Sequence, residues 1–403
     1  MPEAPSNHAD PLIFISAAEP SADRIGAALI RATRQLAPAV GFVGVAGPRM
    51  AEAGCVSIFD MTGHSAMLLG TVGAARRGWA LLRTARECLA QQPFAAAVVI
   101  DSPVLHLPLA RRIHARGIPV LYYVAPQLWA WGAGRIRKLR RWVDELAVIL
   151  PFEEEYFRTR GVAATFVGHP MFDRGEWRPP AADAVDRIRA GGTPLVALLP
   201  GSRKHVVAEV LRGQLEVARR VAAESPAAGF AVSQANEHVG PLVRAACAGT
   251  GLPVRVHAGA SAELIAAADL VLVASGTTTL EVAGFGKPMI VMYNASRVAY
   301  HLCARWLVRL PHLALPNILA GREVVPEFMP YYTSTEPIAR CALKLLGSPE
   351  KREAMSRELQ QIIASLRTGN ASQHVARMVL ELAEKRSASA SSCLPVAEPP
   401  PAP

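Results

Sequence analysis

Leu270-Val271-Leu272-Val273-Ala274-Ser275-Gly276-Thr277-Thr278-Thr279-Leu280-Glu281 runs from an unbroken apolar segment straight into small, hydroxylated residues. The first five residues predict a short strand buried on both faces, because they are apolar, partly β-branched and free of polar alternation. Ser275-Gly276 predicts a sharp turn, and Thr277, Thr278 and Thr279 offer hydroxyls to cap a helix that starts there. Backbone N–H groups at such a helix start face whatever lies above the strand and suit an anion. Glu281, one turn into the helix, is placed to reach sugar hydroxyls beside that anion. The helix is expected to end at Gly284-Phe285-Gly286-Lys287-Pro288, before a second buried strand, Met289-Ile290-Val291-Met292. Strand, small-residue turn, helix and strand form the nucleotide-binding half of a doubly wound α/β sheet. An ordinary crossover whose Ser and Thr only cap a helix has the same pattern.

A chain of 403 residues has room for two such domains, each with its own core. Half of the residues are hydrophobic, yet no apolar run is long enough to span a bilayer. Residues 1–11 are polar and hold no signal-peptide core, so a cytoplasmic location is expected. The cysteines (Cys55, Cys88, Cys247, Cys303, Cys341, Cys393) are scattered without metal-ligand spacing, so neither zinc nor a disulfide framework is expected. A net charge of +10 favours anionic partners: phosphates, acidic lipids or nucleic acid.

In the first half, Leu12-Ile13-Phe14-Ile15 predicts a strand, followed by the loop Ala17-Ala18-Glu19-Pro20-Ser21-Ala22-Asp23 and a helix over 25–36. A second strand, Phe42-Val43-Gly44-Val45-Ala46-Gly47, leads into a short helix. Neither loop carries a G-x-G-x-x-G or Walker A pattern, which removes the usual support for NAD or ATP. Residues 67–88 interleave apolar positions with Arg76, Arg77, Arg83 and Arg86, the pattern of a solvated helix face or of a membrane-surface helix. The strand Ala95-Ala96-Ala97-Val98-Val99-Ile100 ends on Asp101-Ser102-Pro103, which places a carboxylate where parallel sheets bind ligands. Capping the next helix, over 105–116, is an equally good use for Asp101. Trp129 and Trp131 follow the strand Val120-Leu121-Tyr122-Tyr123-Val124, either as a ligand wall or as packing. The basic segment 135–141 runs into the strand 145–150, which predicts a helix with a basic outer face and not a nucleic-acid arm.

Residues 174–184, polar and proline-containing, are expected to link a first domain over 12–173 to a second over 185–386 that includes the terminal helices. Residues 1–11 and the Ser/Ala/Pro-rich 387–403 are expected to be disordered. The second domain opens with Leu195-Val196-Ala197-Leu198-Leu199 and the loop Pro200-Gly201-Ser202-Arg203-Lys204-His205. Gly201 permits close backbone approach, Ser202 donates, and Arg203 can grip a phosphate with two prongs. Joined to the turn at Ser275 in one sheet, this loop suits a diphosphate. Arg297, His301, Arg305 and Arg309 recur every four residues among Leu302, Trp306 and Leu310, a basic face with an apolar flank that suits a membrane surface or acyl chain.

Seven segments together resemble the lipid-A-disaccharide synthase family of inverting GT-B glycosyltransferases, in the family's order over about residues 12 to 385. They are Phe42-Val43-Gly44-Val45-Ala46-Gly47-Pro48-Arg49-Met50, Ile100-Asp101-Ser102-Pro103, Tyr123-Val124-Ala125-Pro126-Gln127-Leu128-Trp129-Ala130-Trp131, Leu150-Pro151-Phe152-Glu153, Leu198-Leu199-Pro200-Gly201-Ser202-Arg203, Ser275-Gly276-Thr277-Thr278-Thr279-Leu280-Glu281 and Leu315-Pro316-Asn317-Ile318-Leu319-Ala320-Gly321-Arg322-Glu323. The resemblance implies a GT-B fold, two doubly wound Rossmann-like domains facing a cleft. It implies transfer from UDP-2,3-diacylglucosamine to 2,3-diacylglucosamine 1-phosphate (lipid X), with release of UDP. By the same likeness Asp101 and Arg203 are the essential residues. Gly201, Ser202, Ser275, Gly276, Thr277, Thr278 and Asn317 lie at the nucleotide, and Glu281 holds the ribose. No bound metal or other cofactor, a peripheral position on the cytoplasmic face of the inner membrane, and a homodimer are also implied.

This chain departs from the family at three places, all in the first domain. The family's Gly-Glu-x-Ser-Gly-Asp is Ala18-Glu19-Pro20-Ser21-Ala22-Asp23, its Asp-Phe-Asn after the Asp-x-Pro is Val104-Leu105-His106, and its Met-Gly-x-x-Glu-Val-Leu is replaced near residues 62–68. Two alternatives stay open: a UDP-sugar GT-B enzyme with another lipid acceptor or epimerase activity, and a non-catalytic relative that binds UDP-sugar or membrane.

Overall fold

A computed structural model describes residues 10–60, 72–130, 132–177, 179–190, 192–294 and 311–392. The chain divides into two units, Met1–Arg174 with Thr368–Pro403, and Gly175–Arg367.

The first unit holds a seven-stranded parallel sheet of β1 (Leu12–Ala17), β2 (Gly41–Val45), β3 (Cys55–Phe59), β4 (Phe94–Ile100), β5 (Val120–Tyr123), β6 (Glu145–Val148) and β7 (Ala164–Phe166). Its order is β3-β2-β1-β4-β5-β6-β7. Successive residues alternate between two apolar layers. Ile13, Ile15, Val98, Ile100, Leu121 and Tyr123 enter one core, while Phe14, Ala97, Val99, Val120 and Tyr122 enter the other. A sheet covered on both faces needs apolar residues at every position, which is why these strands read as continuous runs. Connecting helices include α1 (Pro20–Leu36), α2 (Pro48–Glu52), α3 (Val72–Gln91), α4 (Pro103–His114), α5 (Ile136–Trp142) and α6 (Pro151–Arg158).

The second unit repeats the plan with β8 (Leu195–Leu199), β9 (Gly229–Gln234), β10 (Val254–Ala258), β11 (Leu270–Ala274), β12 (Met289–Met292) and β13 (Glu327–Phe328), ordered β10-β9-β8-β11-β12-β13. Its helices include α7 (Ala182–Arg189), α8 (Lys204–Glu224), α9 (Gly240–Ala248), α10 (Ser261–Ala267), α11 (Thr278–Gly284), α12 (Leu315–Ala320), α13 (Glu336–Leu346) and α14 (Pro349–Leu366).

The expected domain limits need three corrections. The terminal helix α15 (Ala371–Ser392) belongs to the first unit and not to the second. Ala371, Val375, Ala376, Val379, Leu382 and Ala383 form an apolar stripe at three- and four-residue spacing, and it packs against Ile13, Ile15, Leu29 and Ile30. The buried Asp173 carboxylate fixes the start of α15, accepting from Ala371 N (2.7 Å), Ser372 N (2.9 Å) and Ser372 Oγ (2.6 Å). Second, α15 continues to Ser392, so residues 387–392 are helical where disorder was expected; alternating Ser and Ala favour a helix that is already anchored. Residues 393–403 lie outside the described residues. At the other end Pro11 already bonds β2, its carbonyl accepting from Gly41 N at 3.1 Å. Residues 1–9 lie outside the described residues. Third, the expected linker is partly built into the second unit. Trp177 stacks on Phe285 with ring centres 4.6 Å apart, and α7 starts at Ala182. Among the described residues no helix is long and apolar enough to cross a membrane.

Candidate active site

In each sheet the strand order reverses once, between β1 and β4 in the first unit and between β8 and β11 in the second. Loops leaving adjacent strands in opposite directions open a crevice at the carboxyl ends of those strands. Asp101 directly follows β4, the Gly201-Ser202-Arg203 loop follows β8, and Ser275-Gly276 follows β11. The sequence-predicted residues therefore fall at the switch point of their own sheet.

Among the described residues the non-glycine positions with positive φ are Asp101 (55°), Ser102 (45°) and Val124 (63°). All three lie just past the ends of β4 and β5. Left-handed backbone in three non-glycine residues is costly, and such strain gathers at functional sites. The turn is held by hydrogen bonds. Asp101 N donates to Tyr123 O at 3.0 Å. The Asp101 carbonyl accepts from Tyr122 Oη at 2.6 Å and from His106 Nδ1 at 2.7 Å. Asp101 is half-buried and lies one residue before the cap position. Helix α4 begins at Pro103 with Ser102 in the cap position. Burial, and then the charge of Asp101, push the Tyr122 hydroxyl well above its usual range, while Arg135 opposes them. A cation thus stands within electrostatic reach of this turn.

His106 and Tyr122 were not expected to serve the site. His106 is fully buried, and burial pushes its imidazole down to about 4 against the pull of the Asp101 and Ile100 carbonyls. Its only legible signal was a histidine five residues beyond an aspartate on the apolar face of a helix, which is ordinarily a core residue.

The loop before α1 supplies less. Asp23 is 2 % exposed and spends both carboxylate oxygens on the start of α2, accepting from Arg49 N (3.0 Å) and Met50 N (3.1 Å). That leaves Glu19, which is half-buried, as the acidic group of this loop with solvent access. Ala22 lies inside α1, and neither Ala18 nor Ala22 has positive φ, so this loop folds without the backbone freedom of glycine.

In the second unit the two loops leave neighbouring strands. Val273 of β11 pairs with Leu199 of β8, and a Cβ on Gly201 would lie 3.8 Å from the Ala274 Cβ. Gly201 (φ 103°) and Gly276 (φ 143°) both adopt backbone that other residues avoid, and the space in front of Gly276 is open. Arg203 is exposed and occupies the cap position of α8, a helix of 21 residues. The positive end of that helix therefore faces the loop. Arg203 also lies close enough to Tyr293 to lower its hydroxyl pKa, against the larger effect of burial and that of Glu209. Glu281 is half-buried on α11. Thr277, in the cap position, makes no side-chain cap bond, and Thr279 Oγ1 returns to Gly276 O at 2.7 Å. Of the three expected threonine caps, then, Thr279 only tightens the turn, and Thr277 and Thr278 remain at the loop surface beside Ser275.

Two supports escaped sequence reading. Asn236 Nδ2 donates to Ser202 O at 3.0 Å, tying the loop after β9 to the Gly201-Ser202-Arg203 loop. Gln214, fully buried on α8, donates to Leu272 O (2.9 Å) and Leu199 O (3.4 Å), bridging the two central strands beneath the site.

Asn317 is a correction. It is fully buried, its Nδ2 donating to Val325 O (2.8 Å) and Glu327 Oε2 (3.1 Å) and its Oδ1 accepting from Val324 N and Val325 N. With both donors and both lone pairs engaged, the side chain is a loop clasp and not a ligand contact. Trp129 packs edge-on to Phe152 and donates to Glu153 Oε1 at 2.9 Å, the packing alternative of the two foreseen. Trp131, residues 62–68 and the basic stretch from Arg297 to Arg309 lie outside the described residues.

A family model described as lipid-A-disaccharide synthetase matches residues 13–379. A lipid-A-disaccharide synthase of Anaeromyxobacter dehalogenans is 39% identical over 378 residues, covering 91% of this chain and 96% of that protein. The Syntrophus aciditrophicus enzyme of the same name is 36% identical over 380 residues, with 93% and 98% covered. Solved structures agree on architecture. UDP-GlcNAc 2-epimerase from Neisseria meningitidis bound to UDP-GlcNAc superposes with a TM-score of 0.62 at 12% identity, over 92% of this chain and 100% of the other. Acinetobacter baumannii MurG gives 0.54 at 15% identity, over 92% and 99%. These likenesses carry the two-sheet GT-B fold, and the sequence relatives carry the finer assignment: the chain belongs to the lipid-A-disaccharide synthetase family.

Proposed function

We propose that this protein is a glycosyltransferase that joins UDP-2,3-diacylglucosamine to 2,3-diacylglucosamine 1-phosphate, forming a β-1′,6 bond and releasing UDP in lipid A biosynthesis. The observation that carries the reading is the family match across residues 13–379, which takes in both switch-point loops and the Asp101 turn.

The chemistry divides between the residues of the two units. Asp101 accepts the proton of the acceptor 6-hydroxyl as its oxygen attacks the anomeric carbon. The bond from that carbon to the diphosphate oxygen breaks, with inversion, and its electron pair leaves with UDP. Arg203, the Gly201-Ser202 backbone and the turn Ser275 to Thr278 meet the growing negative charge, which preorganised donors stabilise without rearrangement. Glu281 holds the ribose hydroxyls. With Arg203 and backbone dipoles supplying the positive charge, the reaction needs no bound metal, and EDTA should leave turnover unchanged. The enzyme works at the cytoplasmic surface of the inner membrane, where both acylated substrates reside.

UDP release measured with UDP-diacylglucosamine, with and without the acylated acceptor, tests the reading. Release that depends on acceptor and yields a disaccharide 1-phosphate is expected; release indifferent to acceptor removes the assignment.

A further inference from the structure

We propose that His106 is a positioning residue for Asp101: its buried imidazole clamps the Asp101 carbonyl and so aims the Asp101 carboxylate. The inference rests on Asp101 being the base of the proposed transfer.

Asp101 and Ser102 both hold positive φ, at 55° and 45°, so this turn does not keep its shape by preference. Something must hold it. Its one carbonyl with two side-chain donors is that of Asp101, which takes Tyr122 Oη at 2.6 Å and His106 Nδ1 at 2.7 Å. Because a carbonyl only accepts, Nδ1 carries the proton and Nε2 is the acceptor. Ser16 Oγ, 2.9 Å from Nε2, therefore donates to it. Ser16 lies in β1 and Asp101 follows β4, neighbouring strands across the reversal of strand order. The imidazole thus spans the switch point, tying the turn after β4 to the neighbouring strand β1. Burial keeps the ring neutral, as this bonding scheme requires. The Tyr122 ring packs edge-on to it, with centres 6.4 Å apart, so the two donors brace each other. A displacement of the carbonyl would carry the Asp101 carboxylate with it, and small misplacements of a reacting group lower turnover without weakening binding elsewhere.

The two ends of the imidazole can be tested separately in the full-length protein. In His106→Asn the amide occupies the Nδ1 end and keeps a donor for the Asp101 carbonyl, while Ser16 loses its partner. In His106→Gln the amide reaches the Ser16 end and the carbonyl loses a donor. A residue that only fills the core would suffer alike in both. We expect similar losses of thermal stability in the two variants. Turnover should fall about 10- to 100-fold in His106→Gln and stay within about threefold of wild type in His106→Asn, with the UDP-sugar KM unchanged in both. Tyr122→Phe, which deletes the other donor at constant ring shape, should also lower kcat at constant KM, and it decides the matter should a His106 variant not fold. Equal kcat in the two folded His106 variants, or wild-type kcat in Tyr122→Phe should they not fold, would overturn the positioning role. Asp101→Asn is run beside them. Full activity there overturns the base assignment and this inference together, whereas a loss there with His106 and Tyr122 variants unaffected overturns this inference alone.

Discussion

Replacing Asp101 by Asn keeps size, hydrogen bonding and tolerance of the left-handed backbone, since Asn and Asp both visit it, and removes only the proton acceptor. The proposed mechanism predicts a loss of about 10²- to 10⁴-fold in kcat with UDP binding intact, read by single-turnover kinetics and calorimetry. Arg203→Ala should cost about 10²- to 10³-fold in kcat/KM, as loss of a preorganised charge-stabilising group does. Glu281→Ala should instead raise the donor KM at nearly constant kcat, because the proposed ribose contact would be made equally before and during reaction. Three buried groups contribute to the acid response of the first unit. Burial holds His106 and His169 down at about 4, and lifts Glu153 to about 7 against its bonds from Trp129, Leu150 and Ile149. Each histidine binds a proton more readily unfolded, so it gives stability that is intact above pH 6.5 and lost as pH falls toward 4. Glu153 acts the other way, costing stability as pH rises from 4.5 to about 7. The two histidines oppose Glu153 and the half-buried Glu145, whose carboxyl burial also raises but whose exposure weakens its part, so the melting temperature should rise between pH 4.5 and 6.5. Glu153→Gln should steepen that rise, and a slope that flattens in this variant would contradict the assignment.

Helix α15 shows what a single element contributes. Asp173→Asn leaves a neutral side chain facing two backbone donors and a hydroxyl at the helix start, and should cost about 2 to 3 kcal/mol. Thermal denaturation reads the total, and amide exchange should show α15 opening first. Helix α3 makes a different prediction. Trp79, 67% exposed, borders a shallow cavity of about 320 Å³ with Arg83, Arg86 and Arg112. An aromatic ring among arginines suits an anionic bilayer surface, where each basic side chain adds about 1 kcal/mol, weakened by salt. Trp79→Ser should reduce co-sedimentation with anionic vesicles, and equal pelleting with neutral vesicles would count against the contact. The central strands were legible because burial on both faces makes them unbroken apolar runs, as in Leu270–Ala274 and Phe94–Ile100. Edge strands, and the inner strand Gly229–Gln234, were not. Cys55–Phe59 is partly exposed, with Val56 at 63%, and Val254–Ala258 carries Arg255 and His257, so neither needs an apolar run. The stripe on α15 was visible, but nothing local says which of two sheets it covers.

Across the whole molecule, two copies of one topology each bring the predicted chemistry to their strand reversal. Sequence position alone put Asp101, Arg203 and the Ser275-Gly276 turn at the ends of central parallel strands, where such sheets bind ligands. The supports beneath them, His106, Tyr122, Asn236 and Gln214, were hidden. Their partners are backbone carbonyls between 2.6 and 3.4 Å away and distant or oblique in sequence, and a carbonyl leaves no mark on the residue that carries it. Asn317 failed in the opposite direction: its motif was plain, and its hydrogen bonds all turn inward. The proposed transfer and its dependence on Asp101 are addressed together by a single assay. Purified protein is given UDP-diacylglucosamine with and without 2,3-diacylglucosamine 1-phosphate, with Asp101→Asn in parallel, and UDP and lipid products are followed together. UDP should form in step with a disaccharide 1-phosphate, only when acceptor is present, and Asp101→Asn should suppress both. UDP release without acceptor, or a disaccharide formed at the wild-type rate by Asp101→Asn, would contradict the proposal.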